Sequence, residues 1–233
     1  MRPDALRAPL TVLSEPSNLG AKSVPPREAT MPAARESLLD AAFAALARRP
    51  WAAVRMVEVA AAAGVSRQTL YNEFGSKEGL ARALVRREAD GYLAGVDRAL
   101  TVPGDPHDPR ERLLATAEWI TVAARDNALV RAMLTGCWSE RLPSPTLSPV
   151  PSSSAVPAQR RADGPLPSPG DFVALVRDRA VAVLAQPGTS LADTADLTRS
   201  CELAVRLALS CVAAPAERGV TDLVRGALDP QPA

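Results

Sequence analysis

The sequence predicts an all-α protein: an N-terminal three-helix domain holding a helix-turn-helix, then a larger C-terminal helical domain. Three observations predict it. Apolar residues recur at three- and four-residue steps in successive stretches, the period of an amphipathic helix. Ala and Leu are abundant while aromatics make up only 3%, which suits packed helices better than sheets. Glycine and serine fall where those stretches end and begin, at cap positions.

Residues 1–30 hold Pro3, Pro9, Pro16, Pro25 and Pro26 with no sustained period, and read as a disordered arm. Met31 opens a more orderly stretch and is an alternative translation start. From about Ala33 to Ala47, Leu39, Phe43 and Leu46, with Leu38 and Ala42 beside them, form one apolar face. Pro50 stops this helix and Trp51 packs under it. Met56 to Ala63 forms a second, short helix with Met56, Val59, Ala60 and Ala63 inward. Gly64 closes it in the left-handed position after the helix, and Ser66 caps a third helix, Arg67–Phe74. Gly75 and Ser76 separate that helix from a fourth, running from Lys77 to about Leu100. Further helices are expected at Arg110–Arg125, Ala128–Trp138, Asp171–Ala185, Ala192–Ala214 and Arg218–Leu228. Between them, residues 141–170 are rich in proline and carry Ser152, Ser153 and Ser154, so they read as a disordered insertion. The resulting domains are 31–78, the helix-turn-helix, and 79–233, the helical body.

Composition narrows the function classes. Net charge is +1 over 233 residues, so any basic surface is local, unlike that of a histone-like or RNA-coating protein. The chain has one histidine, His107, in the turn-rich Pro103–Pro109 run, where a solvated loop residue is expected. A Ser-His-Asp triad or multi-histidine zinc site would have to use it. There is also no Gly-rich phosphate loop, so neither an enzyme nor a metal or other cofactor is expected. Cys137, Cys201 and Cys211 form no C-x-x-C pair and read as buried thiols in a reducing cytoplasm, with a redox sensor as the alternative. No apolar run is long enough for a membrane span and no secretory signal is apparent, so a cytoplasmic location is expected.

The informative stretch is Met56–Lys77. Two helices joined by Gly64-Val65-Ser66 must approach closely, and Ala60 and Ala63 permit it, while Val65 and Leu70 fill the angle. At 100° per residue, Leu70 and Phe74 share the inner face of the third helix. Opposite them fall Gln68 and Asn72, flanked by Thr69 and Tyr71. Gln and Asn pair bidentately with adenine in the major groove, and a Thr methyl meets a thymine methyl. Tyr71 and Lys77 are placed for phosphates, Lys77 also lying at a helix N-terminus that favours an anion. Arg35 and Arg55 add two phosphate candidates, and Ser66 and Arg67 complete the DNA-facing set. Taken singly, Gln68 or Asn72 could simply face water; the case rests on the whole arrangement. Arg160 and Arg161, in the insertion, read as solvated.

This stretch resembles the N-terminal domain of the TetR family. The matching residues are Ala63-Gly64-Val65-Ser66, Thr69-Leu70-Tyr71, Phe74 and Lys77-Glu78-Gly79-Leu80, and the resemblance covers about residues 33–85. Beyond residue 100 only the layout is similar. Arg55 stands where many members have a capping Thr. The resemblance implies a homodimer on double-stranded DNA at a palindromic operator, with recognition helices about 34–36 Å apart. It further implies a repressor released by a small-molecule effector bound in the C-terminal helices, whose differential affinity for two states shifts the equilibrium. Leu197–Val212 is apolar nearly all round, as a helix at a dimer face or at the centre of a monomeric core would be. Trp119, Met133, Trp138 and Phe172 are the candidate lining of an apolar effector pocket, or ordinary core residues. A helical protein using its helix-turn-helix only for protein contacts is the competing reading.

Overall fold

The computed structural model describes residues 27–101, 109–143, 166–186, 188 and 190–229, and these are helices joined by short turns, with no strand among them. In chain order they are α1 (Arg27–Arg48), a 3₁₀ turn (Trp51–Ala53), α2 (Met56–Ala62), α3 (Arg67–Phe74) and α4 (Lys77–Leu100). After these come α5 (Arg110–Asp126), α6 (Ala128–Thr135), α7 (Pro169–Leu184), α8 (Leu191–Ala213) and α9 (Gly219–Leu228).

Helix α4 joins head to body. Its first half packs on α1 and α3, its second on α5, α6 and α7. Leu80, Leu84, Val85, Tyr92, Val96 and Leu100 are all buried, spaced so that one stripe serves both ends. In the body, α5 and α8 pack together at the centre, with α7 and α9 against them. On α8 the buried residues are Cys201, Ala204, Val205, Ala208 and Cys211, a single helical stripe. Its other apolar residues are only partly covered, and Leu203 is 40% exposed. Among the described residues no helix is long and apolar enough to cross a membrane, and no group of side chains could hold a metal.

The ends of several elements differ from expectation. Helix α1 begins at Arg27, so the last four residues of the expected arm are helical; residues 1–26, and the start at Met1 or Met31, lie outside what is described apart from the helical backbone of Met31. Pro32 marks no boundary: it sits inside the helix, which forgoes one backbone donor there. Helix α6 stops at Thr135, not Trp138, because Gly136 turns left-handed at φ 72° and its N–H closes on the Ala132 carbonyl. The expected insertion is structured at both edges. Pro143 is buried, and Ser168 and Asp171 form a reciprocal capping box that starts α7 with Pro169 at its first turn. Residues 144–165, including Arg160 and Arg161, and the loop carrying His107, lie outside the described residues. Cys201 and Cys211 are buried as expected, but Cys137, beyond the end of α6, is exposed.

Candidate nucleic-acid interface

The geometry of the head comes from a few small residues and caps. Val59 and Ala60 bury the inner side of α2, and Gly64 takes φ 68°, which a residue with a Cβ adopts only under strain. The Val65 N–H returns to the Ala60 carbonyl at 3.0 Å. The Ser66 hydroxyl accepts the Thr69 N–H at 3.0 Å, fixing where α3 begins. Leu70 and Phe74 are then buried as paired anchors on the inner face. Ser76 caps α4 by accepting the Gly79 N–H at 3.1 Å. At Gly79 the chain has no room: a Cβ there would lie 1.9 Å from the Phe74 carbonyl oxygen. The close approach of α3 to α4 therefore depends on this glycine, whose steric role the sequence pattern does not disclose.

With Leu70 and Phe74 inward, Arg67, Gln68, Tyr71 and Asn72 form one exposed face of α3. The Gln68 amide donates to the Asn72 Oδ1 at 2.7 Å, so the two amides align along that face. The Arg67 guanidinium lies 6.0 Å from the Tyr71 ring centre. Thr69 is half-buried, its hydroxyl within 2.8 Å of Ser66 Oγ. Arg55, at the start of α2, makes no side-chain cap and its side chain is 77% exposed. Two of the expected phosphate contacts are engaged within the head. Arg35 donates to Glu73 Oε1 at 2.5 Å and its guanidinium stacks 5.0 Å from the Phe74 ring centre. Lys77 donates to the Ala52 carbonyl at 2.9 Å beside the Trp51 ring, and burial lowers its pKa against the opposing pull of Glu78. Glu73, which clamps α3 to α1 through Arg35, does not stand out in the sequence; that it is half-buried is visible only in the packing.

The four expected ligand residues are divided. Met133 on α6 and Phe172 on α7 are buried, on helices that pack against each other and against α4. Trp119 lies on the α4–α5 seam, its indole N–H donating to the Tyr92 carbonyl at 3.0 Å. Its ring fills the notch at Gly95, where a Cβ would lie 2.0 Å from the indole. Trp138 is half-buried beyond the end of α6. A half-open groove of about 730 Å³ lies elsewhere, between α1 and α2 in the head, with Ala41, Ala45, Val59 and Ala62 among its lining.

Comparison with known proteins places the head. Residues 38–84 match the family of bacterial regulatory proteins of the tetR type. The matched segment is the helix-turn-helix head together with the start of α4. The HTH-type transcriptional regulator AlkX of Mycobacterium tuberculosis is 46% identical over 79 residues, 34% of this chain and 37% of that protein. The HTH-type transcriptional activator FasR of Mycolicibacterium smegmatis is 39% identical over 84 residues, 36% of this chain and 37% of that one. The chain thus spans well under half the length of these two relatives. Among solved structures, the TetR family repressor AlkX from Dietzia, implicated in biodegradation of n-alkanes, aligns over 82% of this chain and 91% of its own, at 20% identity and TM-score 0.42. A TetR-family regulator from Rhodococcus aligns over 85% and 97%, at 19% identity and TM-score 0.46.

The TetR-family segment stops inside α4, yet polar contacts tie it to the helices beyond. Arg87 on α4 reaches back to Asp40 of α1 at 2.6 Å and sideways to Glu88 at 2.8 Å. The other Glu88 oxygen accepts the Asn127 amide at 2.7 Å, and Asn127 caps α6 through the Leu129 and Val130 N–H groups. The Trp51 N–H donates to the Arg141 carbonyl at 2.8 Å. Both flanks of α6 are therefore joined to the TetR-family head.

Proposed function

We propose that this chain is a cytoplasmic TetR-family transcriptional repressor, acting as a homodimer on a palindromic operator in double-stranded DNA and released by a small-molecule effector. The observation that carries the reading is the exposed face of α3. Gln68 and Asn72 stand clear of the core while Leu70 and Phe74 hold the helix from behind, which is the arrangement base readout in the major groove requires. Arg67, Tyr71 and Arg55, all exposed, supply phosphate contacts, with Ser66 and Thr69 at the helix start. Arg35 and Lys77 join them once they exchange their present partners for phosphate. The partly covered apolar residues of α8, with Leu223 on α9, supply the partner-facing surface. Trp119, Met133, Trp138 and Phe172 remain the candidate effector lining, and the preference is for an apolar molecule.

Selection of bound fragments from genomic DNA tests the reading. The expected result is an enriched sequence with two-fold symmetry whose affinity falls steeply with salt, as counterions are released. Gln68→Ala should relax preference at particular base pairs by about 1–3 kcal/mol, whereas Tyr71→Ala should weaken all sequences alike. A protein that ignores duplex DNA at low ionic strength refutes the proposal. An enriched site that Gln68→Ala leaves unchanged removes Gln68 as a base reader. A reporter gene carrying the recovered operator decides repression against activation.

A further inference from the structure

We infer that Tyr92 is the polar anchor of the effector site, and that the effector is a neutral, mainly apolar molecule bearing a carbonyl oxygen. This rests on the proposed reading that the body takes up a small molecule. The Tyr92 side chain is 2% exposed, and its hydroxyl has no hydrogen-bond partner among the described residues. Buried tyrosine hydroxyls normally find a partner, because an unpaired one forfeits its hydration. The ring lies edge-on to Phe172, centroids 5.9 Å apart and planes 80° apart, so the phenol stands where α4 meets α7. Helix α6 packs on both of those helices and buries Leu129 and Met133. The Tyr92 side chain, its hydroxyl unpaired, thus stands against Phe172 where three helices that bury apolar residues meet, the make-up of a site that orients an apolar ligand by one group.

The chemistry selects the acceptor. Burial pushes the Tyr92 pKa above the ordinary phenol range, so the group stays protonated and offers a donor. An anionic ligand would meet the carboxylate of Glu88 one helical turn away. Arg87, next to Glu88 in the chain, is already held by Asp40 and by Glu88 itself. A neutral oxygen meets neither obstacle.

Tyr71 and Tyr92 are the chain's two tyrosines, which makes fluorine NMR selective. The full-length protein labelled with meta-fluorotyrosine gives one exposed and one buried resonance, assigned with Tyr92→Phe. The probes are methyl ketones from heptanone to decanone, with alkanes of the same length as controls. The expected result is that ketones move the Tyr92 resonance and leave Tyr71 in place. They should bind about tenfold tighter than the alkanes, the factor one neutral hydrogen bond supplies, and Tyr92→Phe should erase that margin. Without probe, Tyr92→Phe should melt no lower than the parent. A Tyr92 resonance unmoved by every ketone overturns the inference, as does equal affinity for ketone and alkane, the result if buried water alone satisfies the hydroxyl. The resonance in the parent protein keeps the test independent of whether the variant folds. Alkanes that release operator as well as ketones do would leave the effector reading standing and remove this one.

Discussion

Gly95 stands in the interior of α4, where glycine costs about 1 kcal/mol relative to alanine, so its presence needs a structural cause. The cause is Trp119. A Cβ at position 95 would lie 2.0 Å from Cζ2 and 2.1 Å from Cε2 of the indole, against a normal contact of roughly 3.5–4.0 Å. Gly95→Ala must therefore push the ring outward, breaking its 3.0 Å bond to the Tyr92 carbonyl. Overpacking costs about 1–3 kcal/mol and the lost bond about 0.5–1.5, offset by about 1 from helix propensity. The net expectation is a loss of about 1–3 kcal/mol, or a melting point lower by about 2–4 °C for each of them. In a Trp119→Ala background the obstruction is gone, and the same substitution should stabilise by about 0.5–1 kcal/mol. Urea unfolding followed by far-UV circular dichroism, at one fixed protein concentration because association shifts apparent stability, reads both values. Equal effects of Gly95→Ala in the two backgrounds would refute the reasoning.

Gly79→Ala should be harsher on function, because its Cβ meets a backbone carbonyl that cannot swing aside; operator affinity should fall by more than about tenfold while body helicity survives, as gel shift and circular dichroism would report. Glu73→Gln removes the charge that holds Arg35; if Arg35 then meets phosphate, the salt dependence of DNA binding should steepen by about 0.9 per protomer, and an unchanged slope assigns Arg35 to packing alone. Alkylation of the native protein should modify Cys137 first, since Cys201 is fully buried and its pKa is pushed up to about 12, with all three thiols reacting after denaturation. The Ser168 hydroxyl and N–H, both donating to Asp171, hold its carboxyl below the usual carboxylate range. The stability this contributes is complete above the ordinary carboxyl pKa of the unfolded chain and is lost as pH falls through the lowered native one, so Asp171→Asn should flatten the acid limb of the unfolding profile.

The head was legible because its logic is local. Gly64, Ser66, Gly75 and Ser76 each act within four residues of themselves, so caps and turns could be read directly and the inward pair Leu70 and Phe74 emerged from the period. What escaped were decisions made across the chain. Glu73 looks like one more polar residue on an exposed helix until α1 brings Arg35 beside it, 38 positions away. Gly95 and Trp119 explain each other only once α4 and α5 are side by side. The start of α1 escaped as well: a helix was expected from about Ala33, and it begins at Arg27 with Pro32 inside it.

The contacts between head and body say what an effector would have to change. Helix α6 is short, and each of its flanks is committed to the head. Asn127, at its start, reaches Asp40 through Glu88 and Arg87, and the segment after its end holds Trp51 through the Arg141 carbonyl. Any displacement of α6 must therefore either carry the head with it or break one of these bonds. Tyr92 sits one turn beyond Glu88 on α4, in contact with Phe172 of α7, a helix that also packs on α6. A molecule bound at that hydroxyl would act on the same helices that hold the Glu88 link. Its leverage on DNA affinity is then bounded by the difference in its own affinity between the two arrangements of α6. Breaking the link by Asn127→Ala would separate the two effects, leaving binding at Tyr92 intact while weakening its transmission to α3.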